Sequence, residues 1–386
     1  MMDRDIPLPD RIDGAPRPAE TSRLYGQDGA QGAFLQAFNA GRLHHGWLIH
    51  GPRGVGKATL AWRIARFLLA TPDPEADGGG LFGDALPAPD TLEIAEDHPV
   101  TRRVLAGSEP GLHLVRRGGQ GTSDSDRQKN FEEGKFSREI RVDEVRELAD
   151  FVNLSAVDGG RRVVIIDAAD EMNTSAANAL LKMLEEPPSR TTLLLVAHQP
   201  ARLLPTIRSR CRELRLERLS PDDVIAALDQ AGIDPGAQAP GLAELSGGSA
   251  GEAVRLYNLD GLKIYAEIVG LAASLPMLDR PRALKLAEAA AQRGAEQKLD
   301  LLLALMDMFL ARVARAGATG AVPPEAVPGE AEVIGKLAGT PVQARAWADC
   351  AQEVGARARH GRAVNLDPAA LVLDTVFKLQ QTATSL

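Results

Sequence analysis

Residues 51–59 have the composition and spacing of a phosphate-binding loop, with one substitution that affects its chemistry. The pattern Gly-x-x-x-x-Gly-Lys-[Ser/Thr] binds nucleotide phosphates through backbone N–H groups, and its Lys reaches the β- and γ-phosphates. The hydroxyl after the Lys normally holds Mg²⁺, but this chain has Ala58 there and Thr59 one residue later. A methyl group cannot bind a hard cation, which takes oxygen ligands. The loop therefore predicts a phosphate site that has lost part of its catalytic apparatus.

The elements on either side of the loop support this interpretation. An apolar run at 47–50 is typical of a buried strand, and apolar residues recur at helical spacing through 56–70. A strand, a glycine loop and a helix N-terminus together form an anion site, because the helix dipole and the N–H groups face the phosphates. A chance glycine turn before a surface helix is the alternative. The loop residues predicted to bind a nucleotide are Gly51, Pro52, Gly54, Val55, Gly56, Lys57, Ala58 and Thr59.

Asp167, which ends the apolar strand 162–167, is a further predicted contact of this site. In phosphate-loop proteins such a strand places a carboxylate beside the Mg²⁺. Ala168 follows it, and Asp170 and Glu171 lie three and four residues beyond Asp167, too far along the chain to act from position 168. The alternative is that Asp167 caps the next segment.

The composition is that of an ordinary globular protein. The 386 residues are 44% hydrophobic, 25% charged and 4% aromatic, which fits two or three domains and favours helix. A net charge of −8 argues against a dedicated nucleic-acid binder, but not against a DNA contact within a larger assembly. Cys211 and Cys350 provide neither a disulfide framework nor a zinc cluster. With no apolar leader and no long apolar stretch, we expect a cytoplasmic protein that does not span a membrane.

Strand and helix patterns alternate from residue 24 to about 216, as in a parallel sheet covered by helices on both faces. Polar stretches at 71–91 and 118–139 interrupt this alternation and are predicted to be loops. After residue 219 only helical patterns follow, at 221–275, 282–317 and 331–383. The predicted strands are 47–50, 112–116, 162–167, 191–197 and 213–217, and the helices between them are 56–70, 142–153 and 173–186.

The segment that follows Asp167 carries a more specific pattern. A helix at 176–186 stops at Pro187-Pro188, a hydrophobic strand follows, and Thr-Ile-Arg-Ser-Arg-Cys occupies 206–211. This combination resembles the clamp-loader branch of the AAA+ family. In that branch the Ser-Arg-Cys motif presents an arginine finger to the ATP of a neighbouring subunit, a role that the resemblance assigns to Arg210. A guanidinium suits this role because its fixed charge stabilises phosphate oxygens, and the alternative is a structural Arg paired with a carboxylate.

Within the branch, residues 22–260 resemble the delta-prime class of subunits in the clamp loader of the bacterial DNA polymerase III holoenzyme, a DNA-directed DNA polymerase. The resemblance implies an α/β AAA+ P-loop domain with a parallel sheet, then a small helical lid domain and an all-α C-terminal collar bundle. It also implies gamma/tau-like and delta-like partner subunits, with which the chain loads a sliding clamp on primed DNA. The corresponding boundaries are an extended lead-in at 1–22, the AAA+ domain at 23–218, the lid at 219–277 and the collar at 278–386.

Three positions depart from the ATP-hydrolysing members of that branch. Ala58 replaces the Mg²⁺-binding hydroxyl, Ala168 replaces the catalytic Glu, and Gly251 stands where those members have a lid Arg that contacts the nucleotide. Losing one such group typically reduces the rate by a factor of about 10² to 10³. We therefore expect a site for ATP or ADP with little or no hydrolysis. No metal is expected either, because the four-cysteine zinc module of related subunits has no cysteine to form it within 70–140.

The main expectation is a delta-prime-type subunit that is largely non-hydrolysing and supplies Arg210 to a neighbouring gamma/tau ATPase. One alternative is a gamma/tau-like active ATPase, in which Thr59 and Glu171 replace the missing groups. A purely structural scaffold, in which Arg210 has no catalytic task, is the other.

Overall fold

The computed structural model describes residues 8–9, 11–72, 88–153 and 160–386, which form two compact units. The first unit consists of Met1–Ala231 with Gly248–Gly251, and the second of Gly232–Gly247 with Glu252–Leu386. The four-part division expected from the sequence stays a prediction. The strands of the first unit are β1 (Gly46–His50), β2 (Leu112–Val115), β3 (Arg162–Asp167), β4 (Thr191–Ala197) and β5 (Arg212–Arg215).

These strands form one parallel sheet in the order β2-β3-β4-β1-β5. Successive residues of a strand point to opposite faces, and both faces are buried at β1, β3 and β4, so these three strands are largely apolar runs. Trp47 and Ile49 enter one hydrophobic core, whereas Leu48 between them enters the other. The predicted parallel sheet is confirmed, and its predicted strand ends differ from the observed ones by at most two residues.

Helices cover both faces of this sheet, as predicted. Phe34 and Leu60 contribute to the core on one face, and Val145, Leu180 and Ile207 contribute to the core on the other. The helices of the first unit are α1 (Asp28–Asn39), α2 (Lys57–Ala70), α3 (Pro99–Leu105), α4 (Asp124–Glu132), α5 (Val142–Asn153), α6 (Thr174–Glu185), α7 (Pro205–Arg208) and α8 (Pro221–Gln230).

The prediction of a loop at 118–139 is wrong, because α4 lies within it. The Ser123 hydroxyl caps the helix by accepting the Asp126 N–H, and Arg127 pairs with Asp143 of α5 at 3.0 Å. These polar contacts order a segment that has no buried apolar face to reveal it in the sequence. Of the loop predicted at 71–91, residues 73–87 lie outside the described residues.

The predicted lead-in at 1–22 is described at 8–9 and 11–22. Two buried arginines of α2 bind its backbone. Arg66 donates to Ala19 O at 3.1 Å and to Thr21 O at 3.3 Å, and Arg63 donates to Ser22 O. The end of the lead-in is therefore attached to the helix that follows the phosphate-binding loop.

The second unit is entirely helical within its described residues. Its long α13 (Glu296–Thr319) buries a stripe of large apolar side chains, including Leu305, Phe309 and Val313. The other helices are α9 (Ala239–Leu245), α10 (Ala250–Asn258), which begins in the first unit, α11 (Gly261–Ala273), α12 (Arg280–Ala290), α14 (Glu330–Leu337), α15 (Pro341–Ala363) and α16 (Pro368–Thr384). Among the described helices, none has both the length and the apolar character needed to cross a membrane.

A buried polar cluster joins four helices of the second unit. Glu330 at the start of α14 is 0% exposed, and its Oε1 accepts hydrogen bonds from Tyr265 Oη at 2.5 Å and Arg312 Nε at 2.7 Å. Its Oε2 accepts the Ala326 N–H at 2.7 Å, and Arg312 Nη1 also binds Glu244 Oε1 at 2.7 Å. A buried carboxylate is tolerated only when it is paired and hydrogen-bonded in this way.

Replacing Arg312→Met is expected to lower the free energy of unfolding by about 3 to 5 kcal/mol, because the buried Glu330 charge loses its partner. Adding Glu330→Gln recovers part of the loss, since the amide carries no charge. The matched control is Arg357→Met, which breaks an exposed pair with Asp374 and should change stability little, because water and salt screen such a pair. Urea denaturation of the full chain followed by circular dichroism measures all three, and equal losses for Arg312→Met and Arg357→Met contradict the prediction.

Candidate functional site

The phosphate-binding loop joins the carboxyl end of β1 to the first turn of α2. Gly54 and Gly56 have φ angles of +72° and +96°, a left-handed backbone that glycine adopts readily. Val55 between them is buried in the core and attaches the loop to the sheet. Pro52 and Gly54 are exposed, while Gly51, Ala58 and Thr59 are half-buried. The loop has the expected location, and its contacts with a nucleotide stay a prediction.

Lys57 bends back onto its own loop. It is 4% exposed, and its Nζ donates to Gly51 O at 2.9 Å and to Pro52 O. Burial lowers the pKa of Lys57 to about 8, although the charges of Asp167 and Asp170 oppose this shift. The ammonium group is therefore mostly charged at pH 7 and loses its proton in the range just above, well below the ordinary pKa of lysine.

The acidic residues at and after the end of β3 have different contacts. Asp167 ends the strand, and buried Ala168 follows it. The Asp170 carboxylate accepts the backbone N–H groups of His198 at 3.0 Å and Gln199 at 2.9 Å, which ties the end of β4 to the end of β3. Asp170 is thus a structural residue that the sequence did not reveal, because the N–H groups that donate to it lie about thirty residues further along the chain.

Glu171 is held by two arginines. Its carboxylate pairs with Arg117 Nε at 3.0 Å and with Arg53 Nη2 of the phosphate-binding loop at 3.7 Å. A general base needs an oxygen within hydrogen-bond reach of the proton that it accepts. With both carboxylate oxygens facing guanidinium groups, Glu171 is poorly arranged to replace the Glu that Ala168 lacks.

Residues 248–251 lie against the phosphate-binding loop. Gly251 N donates to Gly54 O at 3.1 Å. A Cβ added at Gly251 would lie 3.1 Å from Gly54 Cα, and one added at Gly54 would lie 2.2 Å from Ser249 Oγ. Two glycines therefore permit this close approach, and a larger side chain at 251 requires the neighbouring atoms to move.

Arg210 lies at the other end of β1 from the loop. A Cβ added at Gly46, the first residue of β1, would be 3.3 Å from Arg210 O, whereas the loop follows His50. A strand rises about 3.3 Å per residue, so the length of β1 separates the two by about 13 Å. The structure thus brings the loop, Asp167 and Gly251 together and leaves Arg210 apart from them.

The Arg210 guanidinium has two protein contacts near the surface. Its Nη2 pairs with Glu185 Oε1 at 2.9 Å, and its Nη1 donates to Thr206 O at 3.1 Å. The side chain is 37% exposed. Glu185 was not among the predicted site residues. A signal for it existed, because Glu185 and Glu186 end a helix where the dipole disfavours negative charge.

Within the described residues, no group of three or more His, Cys, Asp or Glu side chains could hold a metal ion. Cys211 and Cys350 are both free thiols in the first and second units respectively. The expectation that the chain binds no zinc stays a prediction.

Subunits of DNA polymerase III are among the known proteins that are similar to this chain. The chain is 34% identical over 237 residues to the DNA polymerase III subunit delta′ of Pseudomonas aeruginosa, covering 58% of this chain and 59% of that relative. It is 35% identical over 173 residues to the subunit delta′ of Yersinia pestis, covering 45% of this chain and 42% of the relative. The subunit gamma/tau of Mycobacterium bovis is 30% identical over 216 residues, covering 55% of this chain and 31% of the relative.

The chain thus spans about three fifths of the length of the first of these relatives and less of the other two. A family model described as DNA polymerase III, delta subunit, matches residues 26–220, which are 195 of the 386 residues and hence half of the chain. The matched segment contains the phosphate-binding loop, Asp167 and Arg210. This chain therefore belongs to the DNA polymerase III delta-subunit family.

Proposed function

We propose that this protein is a clamp-loader subunit of the delta-prime type in a bacterial DNA polymerase III holoenzyme. It assembles with delta-like and gamma/tau-like subunits to load a sliding clamp on primed DNA. It hydrolyses little or no ATP itself and supplies Arg210 as an arginine finger to the ATP of a neighbouring gamma/tau-like subunit. Family membership and the similarity to delta′ and gamma/tau subunits support this proposal.

The observation that carries the proposal is the location of Arg210. It lies at the amino end of β1, about 13 Å of strand away from the phosphate-binding loop at the carboxyl end. Its guanidinium is partly exposed, as a group that contacts another subunit must be before assembly. A planar, permanently charged guanidinium in that location fits an ATP bound to a neighbour better than one in the chain's own loop.

The surroundings of the loop support weak or absent hydrolysis. Ala58 offers no oxygen for Mg²⁺, and Thr59 is one residue further along α2, a rotation of about 100° around the helix axis. Glu171 is held by Arg53 and Arg117, so it is a poor substitute for the missing base. These contacts favour the non-hydrolysing subunit over an active ATPase of the gamma/tau type.

In the assembled complex, Arg210→Ala is expected to slow hydrolysis at the adjoining ATP site by about 10²-fold or more, because the developing phosphate charge loses its guanidinium partner. The complex is reconstituted with gamma/tau-type and delta-type subunits, clamp and primed DNA. Single-turnover phosphate release then resolves the slowed site from the others. Gel filtration checks that the complex still assembles.

The matched control for Arg210→Ala is Arg208→Ala. Arg208 lies two residues earlier, is similarly exposed, and pairs with Glu213 at 3.6 Å. We expect Arg208→Ala to leave the rate unchanged within about twofold, as is usual for a surface ion pair. A wild-type rate of hydrolysis in Arg210→Ala would contradict the finger role and support a structural scaffold. Equal losses of rate in both variants would indicate a general effect of surface charge.

The isolated chain is expected to release no phosphate from Mg²⁺-ATP above background, because the Mg²⁺ hydroxyl, the general base and the lid Arg are all missing. Thr59→Val and Glu171→Gln should therefore change nothing in a phosphate-release assay. Mg²⁺-dependent turnover that Lys57→Ala abolishes would instead establish the active ATPase.

Nucleotide binding to the loop is expected to weaken as pH rises. The Lys57 pKa is about 8 before binding, and phosphate oxygens favour the ammonium form, so binding takes up a proton above that pH. The affinity for a fluorescent ADP analogue should fall about tenfold per unit of pH above 8. Lys57→Met provides the control, since it should bind weakly at every pH. Equal affinities of the wild type at pH 7 and pH 9.5 would contradict a role for the Lys57 ammonium.

A further inference from the structure

Glu185 is the acidic partner of Arg210. The two residues are 25 positions apart and come from different elements, since Glu185 ends α6 and Arg210 follows α7. Their side chains meet at 2.9 Å, with Glu185 49% exposed and Arg210 37% exposed. Ion pairs of this exposure contribute little to stability, because water and salt screen them. The pair therefore contributes little to the stability of the fold.

The location of Glu185 in its helix is unfavourable. The carboxyl end of a helix carries a partial negative charge, so acidic side chains destabilise it there. Glu185 is the last residue of α6, Glu186 is its C-cap, and Pro187 prevents the helix from continuing. The guanidinium of Arg210 offsets this unfavourable charge. Conversely, the fixed end of α6 sets where the Glu185 carboxylate lies.

The backbone at or next to both residues lies close to the start of β1. The His45 ring nitrogen Nε2 hydrogen-bonds Leu184 O, one residue before Glu185, at 3.1 Å. Gly46 lies where a Cβ would be 2.9 Å from Leu184 Cδ2 and 3.3 Å from Arg210 O. Because Gly46 has no side chain, the end of α6 and the Arg210 segment approach the same point of the central strand.

The neighbouring thiol does not compete for the guanidinium. Burial raises the pKa of Cys211 to about 12, and the charge of Glu213 adds to the shift. Cys211 is thus a neutral thiol at physiological pH, and Glu185 is the negative group that contacts Arg210.

We propose that Glu185 is a positioning residue for Arg210, an inference that rests on the proposed function. Its carboxylate binds Nη2 while Thr206 O binds Nη1, so two fixed acceptors define the plane of the guanidinium. A long side chain with several rotatable bonds is thereby held in one orientation before the neighbouring ATP arrives. A side chain that is oriented in advance raises the rate of the chemical step, because the entropy of ordering it is not lost during the reaction.

The test is Glu185→Gln in the assembled complex, with single-turnover phosphate release as the readout. The amide keeps the shape and one acceptor oxygen but loses the charge that binds Nη2. We expect the rate constant at the adjoining ATP site to fall about fivefold to tenfold, with the KM for ATP and the assembly affinity unchanged. The melting temperature of the isolated variant should not fall, since the substitution removes a charge that the helix dipole disfavours.

The matched control is Glu186→Gln. It removes the same charge from the same helix end, and within the described residues Glu186 has no contact with Arg210. We expect it to leave the rate unchanged. Equal losses of rate in the two variants would overturn the proposal and indicate a general effect of charge. A faster rate for Glu185→Gln would also overturn it, because the carboxylate would then hold Arg210 away from the ATP.

A double-mutant cycle separates positioning from an independent role. In the Arg210→Ala background, Glu185→Gln should have no further effect, because the residue acts through Arg210. A further loss of rate when Glu185→Gln is added to Arg210→Ala would overturn the proposal. If Arg210→Ala lowers the rate and Glu185→Gln does not, the positioning role alone fails. If Arg210→Ala itself has no effect, the finger role fails as well.

Discussion

The parallel pairing of β1 between β4 and β5 is the constraint on which the rest of the first unit depends. This pairing fixes the direction of β1, so the phosphate-binding loop must follow its carboxyl end and Arg210 must lie near its amino end. Both faces of the strand are buried, which leaves it little freedom to tilt or slide. One short strand therefore determines the distance between the two groups that the proposed function assigns to different ATP sites.

In the proposed function, the same geometry lets the chain lose hydrolysis and keep the role assigned to Arg210. Ala58, Ala168 and Gly251 all belong to the carboxyl edge of the sheet, whereas Arg210 depends on α6, α7 and the start of β1. The described contacts of the Arg210 guanidinium, with Glu185 and Thr206, include none of these three residues. Gly251 also affects the phosphate-binding loop directly. Because neither Gly54 nor Gly251 has a side chain, the backbone at 251 approaches the loop more closely than a larger residue would permit.

The sequence predicted the five strands and the helices at 56–70, 142–153 and 173–186, but it missed α1 and α3, which have buried apolar residues, as well as α4. Strands such as 162–167 were found because parallel strands are continuous apolar runs, and the loop because its glycines have fixed spacing. Helix α4 has no buried residue, so no periodic apolar pattern marks it. The Glu185–Arg210 pair and the Gly54–Gly251 contact join distant parts of the chain, and only the fold brings them together.

The hydrogen bonds of Lys57 have a consequence for the energetics of ligand exchange. Its Nζ already has two carbonyl acceptors, so an incoming phosphate must replace existing bonds instead of satisfying an isolated charge. Breaking these two bonds reduces the free energy gained on binding, although a charged phosphate oxygen is a stronger acceptor than a carbonyl. Until a phosphate arrives, the two carbonyl groups of Gly51 and Pro52 thus act as an internal substitute for the ligand, and its binding should release them.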